Sequence, residues 1–455
     1  MHTLSLLRAG KLSGCKRLDL SCGLNNFPRE IFDLADSLEI LNLSGNTLSG
    51  LPDDLPRLKN LRVIFCSDNK FTTVPEILGQ CEQLETIGFK ANQISNVPAS
   101  ALPKKLRWLI LTDNLIAELP SELGSCSSLQ KLMLAGNRLQ YLPSQLANCE
   151  QLELLRISAN RLQKLPECLL SLPRLSWLAF AGNPFSEPGE AEASLQQPIN
   201  LIDWSSLEIE YPLGEGASGV IFRANQKLAG PASSLAVKIF KSALTSDGLP
   251  RSEMAACIAA GAHSGLIPVI GKVSGHPEEK SGLVMELIDA DFINLAGPPS
   301  LESCTRDIYP PETRFNLLTI LNILKEIAAV ADHLHTLGIL HGDLYAHNIL
   351  WNKNGDCLVG DFGAASFVPK NNVRLAKNLQ CIEVRAFACL IGELLERCNV
   401  QIRENPIIEI LQNIESSCAQ PDVKARPRFD EIRRLLDLAK HNHDEVSKQT
   451  GLTPA

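Results

Sequence analysis

The chain has 455 residues, 45% hydrophobic and 21% charged, with a formal net charge of −8 and a pI near 5.7. That length calls for two or three domains, and the acidic balance lacks the basic footprint that tracks a phosphate backbone, which excludes nucleic acid as a first assignment. Fourteen cysteines stand singly with no Cys-x-x-Cys, so they read as reduced, buried thiols of a cytosolic protein and not as a disulfide framework or a zinc site.

The N-terminal stretch MHTLSLLRAGKLSGCKRL is interrupted by charge after a few apolar residues and has neither a signal-peptide core nor a cleavage site. No run approaches the ~18 uncharged apolar residues of a membrane span. The expectation is a soluble, cytoplasmic protein.

An internal period follows. LNLSGNTLSGLP, LILTDNLIAELP, LMLAGNRLQYLP and LRISANRLQKLP repeat one pattern, with asparagines at Asn46, Asn69, Asn92, Asn114, Asn137, Asn160 and Asn183, spaced 22 or 23 residues apart. This is a leucine-rich repeat array over residues 1–185, about eight repeats counting LDLSCGLNNFP. Each Leu-x-Leu supplies a short strand, and the asparagine amide can satisfy backbone groups where the chain turns away. A single repeat cannot bury its leucines, so the coils must stack into a solenoid. Residues flanking the strand leucines are expected on its concave face: Val63, Phe65, Trp108, Ile110, Met133, Arg156 and Trp177. Large apolar groups there favour docking. Phe65, Trp108, Met133 and Trp177 are the candidate surface for a protein substrate or regulator, or for the neighbouring domain.

Residues 186–200 are rich in Pro, Gly, Ser, Glu and Gln and read as a linker. From Leu201 the pattern changes to LEIEYPLGEGASGVIFRAN, in which Gly214, Gly216 and Gly219 lie between two strand-like runs, an arrangement that suits a flap over phosphates. LAVKIFK then places Lys238 on a strand, and LPRSEMAACIAAGAH places Glu253 on a helix within pairing distance. GLVMELI follows, with Met285, Glu286 and Ile288. An amphipathic segment, FNLLTILNILKEIAAVADHLHTLG, leads into LGILHGDLYAHNILWN and CLVGDFGAAS.

In this order and spacing, residues 201–440 resemble a eukaryotic-type protein kinase domain, with residues 441–455 as a tail. The whole chain resembles a leucine-rich-repeat protein kinase without a membrane span. The implied fold is an α/β leucine-rich-repeat solenoid followed by an α+β bilobal protein-kinase-like domain. The implied activity is ATP-dependent phosphorylation of a protein hydroxyl, serine/threonine type. By this resemblance Lys238 holds the α- and β-phosphates and is aimed by Glu253, Asn348 and Asp361 hold Mg²⁺ or Mn²⁺, and Asp343 accepts the hydroxyl proton. ATP would lie under Leu213, Gly214, Glu215, Gly216, Ala217, Ser218, Gly219, Val220 and Ile221, against Met285, Glu286 and Ile288.

The chain also departs from that pattern. Gly342 replaces the arginine that in many kinases grips a phosphorylated activation loop. Between Ala364 and Ile382 Ser366 is the only hydroxyl residue, so regulation by phosphorylation of this loop is not expected. Tyr345 stands where serine/threonine kinases carry lysine, Glu383 where they carry aspartate, and no Ala-Pro-Glu follows the metal site. Arg426 matches a late kinase arginine without an evident glutamate partner. His-Gly-Asp-Leu is also similar to the loop of the aminoglycoside and choline kinases. A small-molecule kinase and an ATP-binding pseudokinase scaffold are the alternative readings.

Overall fold

A computed structural model describes residues 2–450 apart from 197–198, 217, 228–233, 242–243, 301–305, 370–371 and 400–404, and it leaves the side chains of 194–196 and 442–450 undescribed. The chain forms two compact units, the first built mainly of Met1–Leu175 and Gly182–Phe185, the second of Ser176–Ala181, Ser186–Pro299 and Arg306–Ala455.

After the helix α1 (His2–Arg8), the first unit sets three-residue strands side by side: β1 (Arg17–Asp19), β2 (Ile40–Asn42), β3 (Val63–Phe65), β4 (Thr86–Gly88), β5 (Trp108–Ile110), β6 (Lys131–Met133) and β7 (Leu154–Arg156). They pair in parallel and in register, so Leu18, Leu41, Ile64, Ile87, Leu109, Leu132 and Leu155 form one file of middle residues. All seven are at most 2% exposed, because each needs the next coil to cover it. The return legs are 3₁₀ turns such as Glu76–Gln80, Ser121–Ser125 and Ser144–Asn148, each entered through a proline. The proline presets φ and has no N–H to continue a preceding element.

The repeat asparagines are the internal fasteners. Asn137 accepts the Ile116 N–H at 3.0 Å and donates to the Leu111 and Leu134 carbonyls at 2.9 and 3.0 Å. Asn160 does the same one coil later with Leu139, Leu134 and Ile157. One amide thus satisfies buried backbone groups of two successive coils. The residue before each asparagine turns the chain through the left-handed region: Gly45, Asp68, Ala91, Asp113, Gly136, Ala159 and Gly182 all have φ between 53° and 71°.

The expected concave surface needs correction. Phe65, Ile110 and Met133 are only half-buried, but Val63, Trp108 and Arg156 are buried at 1%, 6% and 1% exposure. Val63 sits between Ile40 and Thr86 on adjacent strands. Trp108 pairs with Lys131, whose ammonium lies 4.7 Å from the indole centroid. Trp177 is also buried, and Ser176–Ala181, expected within the repeat domain, belongs to the second unit.

The second unit contains β8 (Trp177–Ala179), α2 (Glu187–Gln196), β9 (Asn200–Asp203), β10 (Leu207–Glu215), β11 (Gly219–Gln226), β12 (Ser234–Phe240), α3 (Pro250–Ala260), β13 (Val269–Ser274) and β14 (Gly282–Glu286). The presumed linker is therefore structured in part: α2 sits against α3, with the Ser252 hydroxyl donating to Glu190 at 2.7 Å. A six-stranded sheet runs β10-β11-β12-β14-β13-β9, antiparallel except where β9 joins β13. Alternation along β12 separates its two faces. Leu235, Val237 and Ile239 enter one core with Val273 and Val284, whereas Ala236 and Phe240 enter another with Met254 of α3 and Met285.

The helical part holds β15 (Ile293–Asn294), α4 (Leu317–Thr336), β16 (Ile339–Leu340), β17 (Ile349–Trp351), β18 (Cys357–Val359), β19 (Ser366–Phe367), α5 (Val373–Leu395), α6 (Pro406–Cys418) and α7 (Phe429–Thr450). The Asn316 side chain caps α4 by accepting the Thr319 N–H at 2.8 Å. α5 begins at Val373, where the Asn372 side chain caps it by accepting the Leu375 N–H at 3.0 Å. α7 runs on to Thr450, so the first part of the expected tail is helical. Among the described residues no helix is long and apolar enough to cross a membrane, and the cysteines are free thiols.

Candidate active site

The strand alternation that buries Val237 on one face turns Lys238 to the other, toward α3, where it forms an ion pair with Glu253. Both side chains are buried. Burial drives the Lys238 amine toward its neutral form, but the Glu253 and Asp361 carboxylates outweigh it, and its pKa lies above the ordinary value. The pair lines a cleft with Ile221, Met285, Asp361 and Phe362. Met285 and Glu286 lie opposite Ala236 and Leu235 on β12, and half-buried Ile288 follows.

Above the cleft, β10 and β11 form a hairpin in which Gly214 faces Ile221 and Glu215 faces Val220, and the Gly216 N–H bonds to the Gly219 carbonyl at 2.9 Å. A Cβ on Gly219 would collide with the main-chain oxygen of Ile239, so that glycine serves the sheet. Gly214 and Gly216 have open space where a Cβ would point; nothing in the protein's own interior requires them, and they leave the turn's surface bare. Leu213 is 46% exposed at its base. Glu215 pairs with Lys241, and Ser218 is buried. Ala217 lies outside the described residues.

Below the cleft, the loop from His341 to Asn348 joins β16 to β17. The Asn348 amide donates at 2.9 Å to both the main-chain oxygen and the Oδ2 of Asp343. The Asn348 carbonyl accepts the Gly360 N–H at 3.0 Å. His341 Nε2 meets the Gly360 carbonyl at 2.9 Å, and since a carbonyl only accepts, Nε2 carries the proton. Its Nδ1 is left to accept the Asp343 N–H at 3.3 Å. Asp361 follows directly at φ 51°, a strained angle for a non-glycine residue, with Oδ1 accepting the Gly363 N–H at 3.1 Å. Lys238, Glu253, Asn348, Asp361 and Asp343 are thereby gathered in one unit, with Asp361 close enough to Lys238 and Glu253 to shift the lysine.

Of the residues that shape this loop, Asp307 and Asn294 were not candidates from the sequence, and Trp177 was a candidate only as docking surface. Asp307 accepts the Ala346 N–H at 2.7 Å and meets His347 Nδ1 at 2.6 Å. The Asn294 amide donates to the His347 carbonyl at 2.8 Å. Trp177 donates from Nε1 to the Leu344 carbonyl at 3.3 Å. None of them has a fixed sequence offset from the loop. Glu383 carried a signal as the acid in the expected aspartate position, and it holds Gly342 and His335. Arg426 donates to the Gln420 and Cys381 carbonyls at 2.8 and 3.1 Å. Burial lowers its pKa to about 10.

This sheet, helix and loop arrangement defines a protein kinase domain. Residues 207–389 match the family model described as protein tyrosine and serine/threonine kinase, and residues 37–58, 104–162 and 127–185 match leucine-rich repeat models. The chain is a leucine-rich-repeat protein in which the repeats precede a protein kinase domain.

Among curated proteins, Cyclin-dependent kinase C-2 C of Arabidopsis thaliana is 26% identical over 196 residues, covering 42% of this chain and 28% of that protein. Probable serine/threonine-protein kinase pats1 of Dictyostelium discoideum is 36% identical over 104 residues, 22% of this chain and 3% of the relative. Ephrin type-B receptor 5 of Gallus gallus is 31% identical over 188 residues, 40% and 17% respectively. The chain thus spans less than a third of the length of each of these relatives.

Proposed function

We propose that the chain is an ATP-dependent protein kinase of the serine/threonine type, with the repeat array engaging a protein substrate or regulator. The observation that carries this reading is that the Lys238–Glu253 pair and Asp361 line one cleft, with the Asn348–Asp343 contact joined to it through the Gly360 N–H, which the Asn348 carbonyl accepts. Phosphoryl transfer asks mainly for positioning and charge neutralisation. Lys238, kept charged, meets the α- and β-phosphates. The bare turn at Gly214 and Gly216 lets backbone N–H groups approach the triphosphate. Asp343, its carboxylate steered by Asn348, accepts the proton as the substrate oxygen bonds to the γ-phosphorus and the bond to ADP breaks.

Asn348 and Asp361 fit a hard divalent cation, Mg²⁺ or Mn²⁺. Asn348 spends its amide protons on Asp343, which directs its oxygen elsewhere, and Asp361 is exposed, with Oδ1 accepting the Gly363 N–H. When bound, such a cation neutralises phosphate charge. The choice of serine and threonine leans on the resemblance and on the Dictyostelium relative named as such.

The test is transfer from γ-labelled ATP to generic protein substrates. Asp343→Asn and Asp361→Ala should each lower turnover by at least ~10²-fold, and acid hydrolysis of the product should yield phosphoserine or phosphothreonine. ADP release stimulated only by small hydroxylated metabolites would replace this reading with a small-molecule kinase. Nucleotide binding without turnover would leave a scaffold.

A further inference from the structure

Gly342, directly before Asp343, has φ +74°, and a Cβ there would lie 2.5 Å from the Ala364 oxygen and 2.8 Å from the Leu178 oxygen. Both are main-chain atoms and cannot swing aside. The room that an arginine would need is closed on one side by the segment after Asp-Phe-Gly and on the other by β8.

Trp177 of β8 and Phe180 just after it make three further contacts with the loop that holds Gly342 and with the segment after Asp-Phe-Gly. The Phe180 N–H donates to the Ser366 hydroxyl at 2.9 Å, and that hydroxyl donates to the Ala364 carbonyl at 3.3 Å. Trp177 Nε1 donates to the Leu344 carbonyl at 3.3 Å. The Trp177 indole lies flat on the Tyr345 ring, with centroids 4.0 Å apart and planes 10° from parallel. Arg306 places its guanidinium 5.9 Å from the same indole. Trp177, Tyr345 and Ser366 are at most 3% exposed. A flat stack with a hydrogen bond at its edge fixes the rotation as well as the position of Tyr345.

We infer that β8 is a built-in clamp on the catalytic loop and that Trp177 is a positioning residue for Asp343, acting through Leu344 and Tyr345. The inference rests on the kinase reading for its consequence on turnover. In kinases with an arginine at the Gly342 position, order in the activation segment can be imposed by a phosphate; here a strand of the same chain occupies that space permanently. Ser366 is then not a regulatory phosphorylation site: its hydroxyl is buried and already engaged at both ends. Tyr345 cannot turn toward the nucleotide as a lysine would, so the acceptor side of the cleft carries a fixed aromatic wall.

The full chain is compared as wild type, Trp177→Ala, Trp177→Phe and Ser366→Ala, by amide hydrogen exchange and by steady-state phosphorylation. Exchange should rise over Gly342–Asn348 in Trp177→Ala and over Ala364–Phe367 in Ser366→Ala. Trp177→Ala should lower kcat by ~10-fold to ~10²-fold, the scale of a misplaced catalytic group, with KM for ATP within about twofold of wild type. Trp177→Phe keeps a stacking ring and should recover most of the lost kcat. Unchanged exchange and kcat in Trp177→Ala overturn the inference, as does a phenylalanine that recovers nothing. If Trp177→Ala does not fold, wild-type exchange over Ala364–Phe367 in Ser366→Ala overturns it. Exchange reads the clamp even if the wild-type chain transfers no phosphate; in that event the kinase reading falls separately.

Discussion

Glu383 on α5 accepts the Gly342 N–H at 2.7 Å with one carboxylate oxygen and meets His335 Nε2 on α4 at 2.7 Å with the other. A single buried carboxylate therefore ties the His341–Asn348 loop to two long helices. Burial alone would raise its pKa, but His335, His341 and the Gly342 N–H more than offset this, and the group stays below the ordinary carboxylate range. Truncation strands a buried N–H and a buried imidazole together. Glu383→Ala should cost about 3 kcal/mol of stability in urea unfolding, and Glu383→Gln, which keeps an acceptor for Gly342, about 1 kcal/mol. Equal losses in the two variants would show that the carboxylate charge, and not the Gly342 contact that glutamine keeps, matters at this site.

His347 gives the domain a pH dependence of predictable sign. Burial lowers its pKa, but the hydrogen bond to Asp307 and the nearby carboxylates of Asp343 and Asp361 outweigh this and leave it above the ordinary 6.5. A raised folded-state pKa means stabilisation that is complete below 6.5 and is lost as pH climbs through the folded value. Between pH 6.5 and about pH 8.5 the wild-type melting temperature should fall more steeply than that of His347→Gln. Parallel curves would remove the Asp307 contact as the cause.

The repeat turns carry strain that can be relieved. Ala159 precedes Asn160 at φ 53°, where Gly45, Gly136 and Gly182 occupy the equivalent position in other coils. An L-residue in the left-handed region costs roughly 1–2 kcal/mol, partly offset by the smaller unfolded-state freedom of alanine. Ala159→Gly should therefore raise stability by about 0.5–1 kcal/mol, read as a higher melting temperature of the repeat unit. A lower melting temperature would mean that the alanine methyl makes contacts worth more than the strain.

The repeats were legible because their cause is local. A leucine or isoleucine at each strand centre and an asparagine that two coils of backbone depend on must recur at one spacing, and the spacing is visible in a string of letters. The kinase motifs were legible for a related reason: glycine turn, lysine strand, glutamate helix and the two acidic loops each carry their own short signature. What misled was exposure. Trp108 and Trp177 have the spacing of outward-facing strand residues, yet Trp108 lies under Lys131 and Trp177 is stacked on Tyr345. Strand periodicity assigns a side to a residue and says nothing about what arrives there from far along the chain.

Order, spacing and residue type alone determined that this chain carries stacked leucine-rich coils followed by a protein kinase domain. Tertiary structure alone decided why Gly342 is a glycine and why Ser366 is buried: the atoms that close in on them belong to Leu178 and Phe180. Steric exclusion and hydrogen bonding act over ångströms whatever the separation along the chain, so contacts across more than a hundred and fifty residues leave no periodic mark in the sequence that makes them.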